Sequence, residues 1–212
     1  MSNYGWEAGT LKLSTKEFPK VRKAIWDAAN ARRAADLTRS LELWTALKRG
    51  AKAEDLSRNE RDEDLVSRLF RERTATGWVT HKTPRKPMKK DFAPLPWKTL
   101  VFSGDEGAVR FDPKTRTVRW GVSENNNAVE RAREGWLGRA FFTALSRVEW
   151  TRGTGGNIVG NDEYNSDSDY EGGGGNYVTD SYGPTKKPTT RRADRYFSSP
   201  VPTRYYTPPR RW

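Results

Sequence analysis

Between residues 74 and 97 the chain reads TATGWVTHKTPRKPMKKDFAPLPW, and the prolines at 84, 87, 94 and 96 constrain what can form around them. Proline lacks a backbone N–H and clashes with the preceding helical turn, so this stretch is neither a helix interior nor a central strand. Five positive charges fall within KTPRKPMKK. An exposed, extended linker is expected, dividing residues 1–73 from 98–160. Closely spaced cations release counterions from a polyanion, so Lys82, Arg85, Lys86, Lys89 and Lys90 are candidate phosphate contacts. The other reading of the same residues is a solvated spacer.

The first 73 residues read as a helical module. After a short extended piece, Ser14 and Glu17 have the spacing of a reciprocal capping box, and Pro19 falls in the first turn. Phe18, Val21, Ile25, Ala28 and Ala29 recur at helical steps, and Leu37, Leu41, Trp44 and Leu47 repeat the pattern as a second segment that Gly50 ends. A third carries Leu65, Val66, Leu69 and Phe70 behind the acidic start NERDED, which suits a helix N-terminus. Three short amphipathic helices are expected. The basic residues between 20 and 33 fit either a nucleic-acid recognition helix or a solvated face.

Residues 98–160 read as a small α+β module. KTLVFS, AVRF and RTVRWGV are strand candidates separated by the turn sequences GDEG and DPKT. Val118, Trp120 and Val122 share one face, which leaves Arg119 on the other beside Arg110. NNAVERAREGWLGRAFFTALSRV then gives one main helix packed on the sheet, with Gly135 and Gly138 marking a bend or a close approach. The fold class is therefore α+β: an N-terminal helical module, then a small antiparallel sheet packed with one main helix.

Chemistry is limited by what the chain lacks. It has no cysteine and one histidine, His81, so thiolate metal sites and cysteine nucleophiles are excluded. WTRGTGGNIVGNDEYN resembles a phosphate loop only superficially: Asn161 and Asp162 follow Gly160 where Lys and Ser or Thr are needed. A hairpin tip is the simpler reading. The acidic, Gly-rich loop 161–180 offers Asp162, Glu163, Asp167 and Asp169 as candidate ligands for magnesium or calcium, although Val178 stands where a calcium loop's closing Glu belongs. No other cofactor is indicated.

Residues 181–212 reverse the sign, with eight positive residues against one negative. Six prolines and interleaved aromatics make a disordered basic tail the expectation. Lys186, Lys187, Arg191, Arg192, Arg195, Arg204, Arg210 and Arg211 would pair with phosphates, and Tyr205, Tyr206 and Trp212 would stack on bases. Leu, Ile, Val and Phe are only 35 of the 212 residues, and the net charge is +12, so any core must lean on the nine tryptophans.

TLKLSTKEFPKVRKAIWDAA, GRAFFTALSRVEWTRGTGGNIVGNDEYN and EGGGGNYVTDSYGP are similar to segments of uncharacterised accessory proteins of actinobacterial phages. The resemblance implies a setting, a bacterial host's cytoplasm, and transfers no site residue. The resulting expectation is a non-enzymatic protein that binds nucleic acid through basic arms. A host- or virion-protein interaction factor and a metal-dependent nuclease are the rival readings. No membrane span is expected, because no long apolar run occurs.

Overall fold

The first strand of the chain lies at the middle of the sheet. In the computed structural model, which describes residues 4–74, 77–104, 106–126, 128–162, 176–184 and 186–192, β1 (Tyr4–Lys12) pairs antiparallel with β6 (Thr117–Asn126) on one side and β7 (Gly155–Asp162) on the other. β4 (Val101–Gly104), β5 (Gly107–Asp112), β8 (Asn176–Gly183) and β9 (Lys186–Arg192) complete a seven-stranded sheet in the order β4-β5-β6-β1-β7-β8-β9. The class is α+β, as the sequence predicts. The extended piece before the first helix is thus not a lead-in to a separate helical module; it is the sheet's central strand.

Ser14 starts α1 (Glu17–Lys48) by accepting from the Glu17 N–H at 3.2 Å. The reciprocal half of the capping box is not made, because the Glu17 carboxylate accepts from Lys20 Nζ at 2.8 Å instead. The two helical segments expected before Gly50 are one helix of 32 residues, about 48 Å long. NARRAAD between them contains no glycine or proline to break it. Gly50 ends it as expected, with φ +93° and its N–H on the Leu47 carbonyl.

α1 serves two cores. Its first half buries Phe18, Val21, Ile25 and Ala29 with sheet residues Leu11, Val109, Phe111, Val118 and Ile158 and with Leu137, Phe141 and Leu145. Its second half brings Leu43 against Leu65, Val66 and Leu69 of α3 (Glu60–Phe70), after a single turn, α2 (Ala53–Leu56). Asn59 caps α3 by accepting from the Asp62 N–H at 2.9 Å, and its first turn is acidic. The division drawn at residues 74–97 therefore does not divide the core: β1 and half of α1 belong with residues 98–160.

The expected main helix is two, α4 (Ala128–Glu134) and α5 (Trp136–Ser146), because Gly135 adopts an extended conformation between them. Gly138 supplies the close approach: a Cβ there would lie 2.1 Å from the Ala132 carbonyl oxygen. Trp120 stacks on Phe141 with ring centroids 5.3 Å apart.

Two further expectations are corrected. RVEWTR is not a strand of a hairpin; Thr151–Thr154 is a turn feeding β7, an interior strand bonded to β1 and β8. Gly153, Gly155 and Gly156 do take positive φ on the way in. The acidic loop and basic tail also give up residues to the sheet, as β8 begins at Asn176 and β9 covers Lys186–Arg192. β9 is an edge strand, which is where Pro188 is tolerated. Residues 163–175 and 193–212 lie outside the described residues.

Packing gives a paired prediction. Gly138→Ala must displace backbone and is expected to cost about 2 kcal/mol, whereas Gly121→Ala meets nothing within 4 Å and should lie within about 0.5 kcal/mol of wild type. Urea denaturation of both variants measures the contrast.

Candidate functional site

The proline-rich segment is a strap laid along α1 in the opposite direction. Trp44 Nε1 donates to the Pro84 carbonyl at 3.3 Å; Arg33 donates to the carbonyls of Asp91 at 2.9 Å and Ala93 at 2.7 Å. Trp26 Nε1 donates to Leu95 O at 2.9 Å, Asn30 Oδ1 accepts from the Leu95 N–H at 2.7 Å, and Arg22 donates to Trp97 O. Residues 22, 26, 30 and 33 are spaced to share one face of a helix. An extended proline-rich backbone has no ladder of its own, so its polar groups need outside partners. That helix face supplies them.

Apolar contacts fasten both ends. Phe92, in a 3₁₀ turn at Lys89–Phe92, packs on the smaller core, and Leu95 and Leu100 pack on the larger one. Trp97 meets Trp26 edge to face at 5.4 Å and carries the Arg22 guanidinium over its ring at 4.7 Å. The recognition-helix reading of residues 20–33 is thereby corrected: Arg22 and Arg33 hold the strap, Arg32 pairs with Asp36, Lys20 with Glu17 and Lys23 with Asp27.

The strap's own cations divide into two kinds. Lys82, Lys86, Lys89 and Lys90 are exposed, and among the described residues none of them pairs with a carboxylate; Lys86 lies over the Trp44 ring at 5.7 Å. Arg85 differs. Its N–H donates to Leu69 O at 2.8 Å and its guanidinium pairs with Glu72, which holds the Glu72 carboxyl below the usual range. Arg85 is an anchor rather than a free contact.

Of the other predicted residues, Lys186, Lys187, Arg191 and Arg192 lie on β9, where Arg191 is opposite Thr179 and Arg192 opposite Val178. Arg195, Arg204, Tyr205, Tyr206, Arg210, Arg211 and Trp212 fall outside the described residues, as do Glu163, Asp167 and Asp169. Asp162 ends β7, opposite Gly5 and Asn176. Among the described residues no group of three or more His, Asp or Glu is placed to hold a metal ion. Arg110 and Arg119 are direct cross-strand partners, both exposed on the sheet face that also shows Thr10 and Asn157.

Sequence reading missed two ionic clusters. Buried Glu7 of β1 accepts from Trp120 Nε1 at 2.7 Å and from Arg133 Nε at 2.8 Å, and Arg133 also donates to buried Asp180 of β8 at 2.6 Å. One guanidinium thus ties α4 to two strands. Burial, with Asp180 adding to it, pushes the nearby Tyr182 phenol upward. The second cluster lines an open cleft of about 590 Å³ with Arg39, Arg58, Arg61, Asp62 and Glu42. Arg39 grips Asp62 through two 2.9 Å hydrogen bonds, and Arg61 pairs with Asp36 at 2.7 Å. Arginines and carboxylates that separate by dozens of residues give no local signal of such pairing.

Comparison with family models, curated proteins and solved structures finds no match. Among the described residues no helix is long and apolar enough to cross a membrane.

The Arg39 hydrogen bonds hold the Asp62 carboxyl below its ordinary value. A depressed folded-state value contributes stability that is present above the unfolded carboxylate range, near pH 4, and lost as pH falls through the folded value. Arg39→Met removes the cause. The urea midpoint of the variant should consequently fall less steeply than that of wild type between about pH 5 and pH 3; parallel curves would mean that the pair does not set the acid response.

Proposed function

We propose that this protein binds nucleic acid as a non-enzymatic accessory protein and that the strap is its contact surface. The observation that carries the reading is the display of Lys82, Lys86, Lys89 and Lys90: four exposed ammonium groups within nine residues, on a backbone held against α1 by side-chain hydrogen bonds. Cations so held lose little conformational freedom when phosphates arrive, so more of the counterion-release term remains as affinity. Such contacts position a polyanion without reading its sequence.

The net charge of +12 gives the whole chain an attractive long-range field for the same ligand. The cations and aromatics of residues 193–212 would extend the contact, and the phage resemblance would place it in an infected bacterial cytoplasm. Binding should be strong in low salt and tolerant of sequence.

The test is fluorescence anisotropy of labelled single- and double-stranded oligonucleotides over a salt series, comparing the full chain with its Lys82→Ala, Lys86→Ala, Lys89→Ala, Lys90→Ala fourfold variant. Each lost phosphate contact removes about 0.7 from the slope of log K against log salt on single strands. The fourfold variant should therefore bind more weakly, with a slope shallower by about 3. Equal affinity and equal slope would overturn the strap as the contact and favour a protein partner.

A further inference from the structure

The strap is preceded by a small hairpin, β2 (Arg71–Thr74) and β3 (Gly77–Thr80), that belongs to neither core. A two-stranded hairpin of this length is not stable by itself, and its root shows what fixes it. The His81 N–H donates to Phe70 O at 2.7 Å, the Arg85 N–H donates to Leu69 O at 2.8 Å, and the Glu72 carboxylate pairs with the Arg85 guanidinium, with His81 Nε2 3.4 Å from one of its oxygens. Glu72 and Val79 are cross-strand partners, and so are Arg73 and Trp78. Strand alternation then puts Trp78 and Thr80 on the opposite face from Glu72.

Trp78 is 67 % exposed, the most exposed large apolar side chain among the described residues. Several other tryptophans there are engaged, Trp26 with Trp97, Trp120 with Phe141, Trp150 with Tyr182, and Trp44 with Pro84 and Lys86, and Trp6 is half-buried. Among the described residues no ring and no cation stacks on Trp78. An indole left open in water on a deliberately anchored hairpin has an unused flat apolar face. Four residues later the lysines of the strap begin, and Arg71 is exposed on the same hairpin.

We propose that Trp78 is a stacking platform for an unpaired base, so that the ligand is single-stranded nucleic acid, its base on the indole and its phosphates along Lys82, Lys86, Lys89 and Lys90. This rests on the nucleic-acid reading above and narrows it. Aromatic faces accept any base that is out of a duplex stack, and cations beside them follow the backbone. Duplex bases keep their faces covered by their neighbours. An apolar protein partner would use the same indole but would not need the lysines.

The experiment measures full-length wild type, Trp78→Ala and Trp78→Phe, with the fourfold lysine variant beside them, against labelled oligothymidylate, an abasic oligomer of equal length and a duplex. Stacking of one base predicts that Trp78→Ala weakens oligothymidylate about tenfold, leaves the abasic oligomer unchanged, and is largely rescued by Trp78→Phe. Equal weakening on the oligothymidylate and abasic strands would overturn stacking, since Trp78 would then act only by shaping the hairpin. An unchanged Trp78→Ala beside a weakened lysine variant would overturn this inference and leave the strap reading standing. Failure of wild type to bind any of the three would overturn both.

Discussion

A backbone that cannot bond to itself must be bonded by something else, and the strap along α1 is organised by that requirement. Arg22, Trp26, Asn30, Arg33 and Trp44 direct polar atoms at its carbonyls and at the Leu95 amide. Hydrogen bonds contribute about 1 kcal/mol each net, while ordering a residue costs about 1–2 kcal/mol. They are therefore too few to hold a segment of this length alone. The apolar anchors Phe92, Leu95 and Leu100 supply the remainder, and the hydrogen bonds decide where along the helix the strap sits.

The length of α1 makes this possible. Its first half is a component of the sheet's core and its second half roofs the smaller core with α3, so the helix is a rigid rail joining the two. Opposite the helices the sheet shows exposed Arg110 and Arg119. Between sheet and helices, Arg133 joins Glu7 and Asp180. Burial of these charges is tolerated because each has its partner; removing one would strand the others in an apolar setting. The strap's exposed lysines and the hairpin's indole are carried on this frame.

Much of this was legible in the residues. Strand alternation in AVRF and RTVRWGV gave β5 and β6, including the Arg110–Arg119 pairing, because one buried face fixes register. Gly50 marked the end of α1, and Gly135 and Gly138 marked a helix break and a close approach. What was not legible depends on distant partners. YGWEAGTLK gives no sign that strands from residues 117–126 and 155–162 will flank it. Prolines announced a linker over residues 74–97 that is neither helix interior nor central strand, but not the hairpin strand Gly77–Thr80 inside it, nor that Asn30 and Arg33 would bond the backbone that follows. Arg85 reads like its lysine neighbours and differs only through Glu72. Trp78 falls within the stretch read as an exposed linker, and nothing in GWVT shows that it will stand on an anchored hairpin outside both cores.

The basic segment is held as a fixed part of the fold. Backbone ¹⁵N relaxation of the full chain tests it most directly, read at the amides of Lys86, Lys89, Lys90, Leu95 and Lys98. Order parameters there should match those of α1, near the rigid value of about 0.85. Values below about 0.6 at these amides, alongside rigid ones in α1, would show a free linker and contradict it.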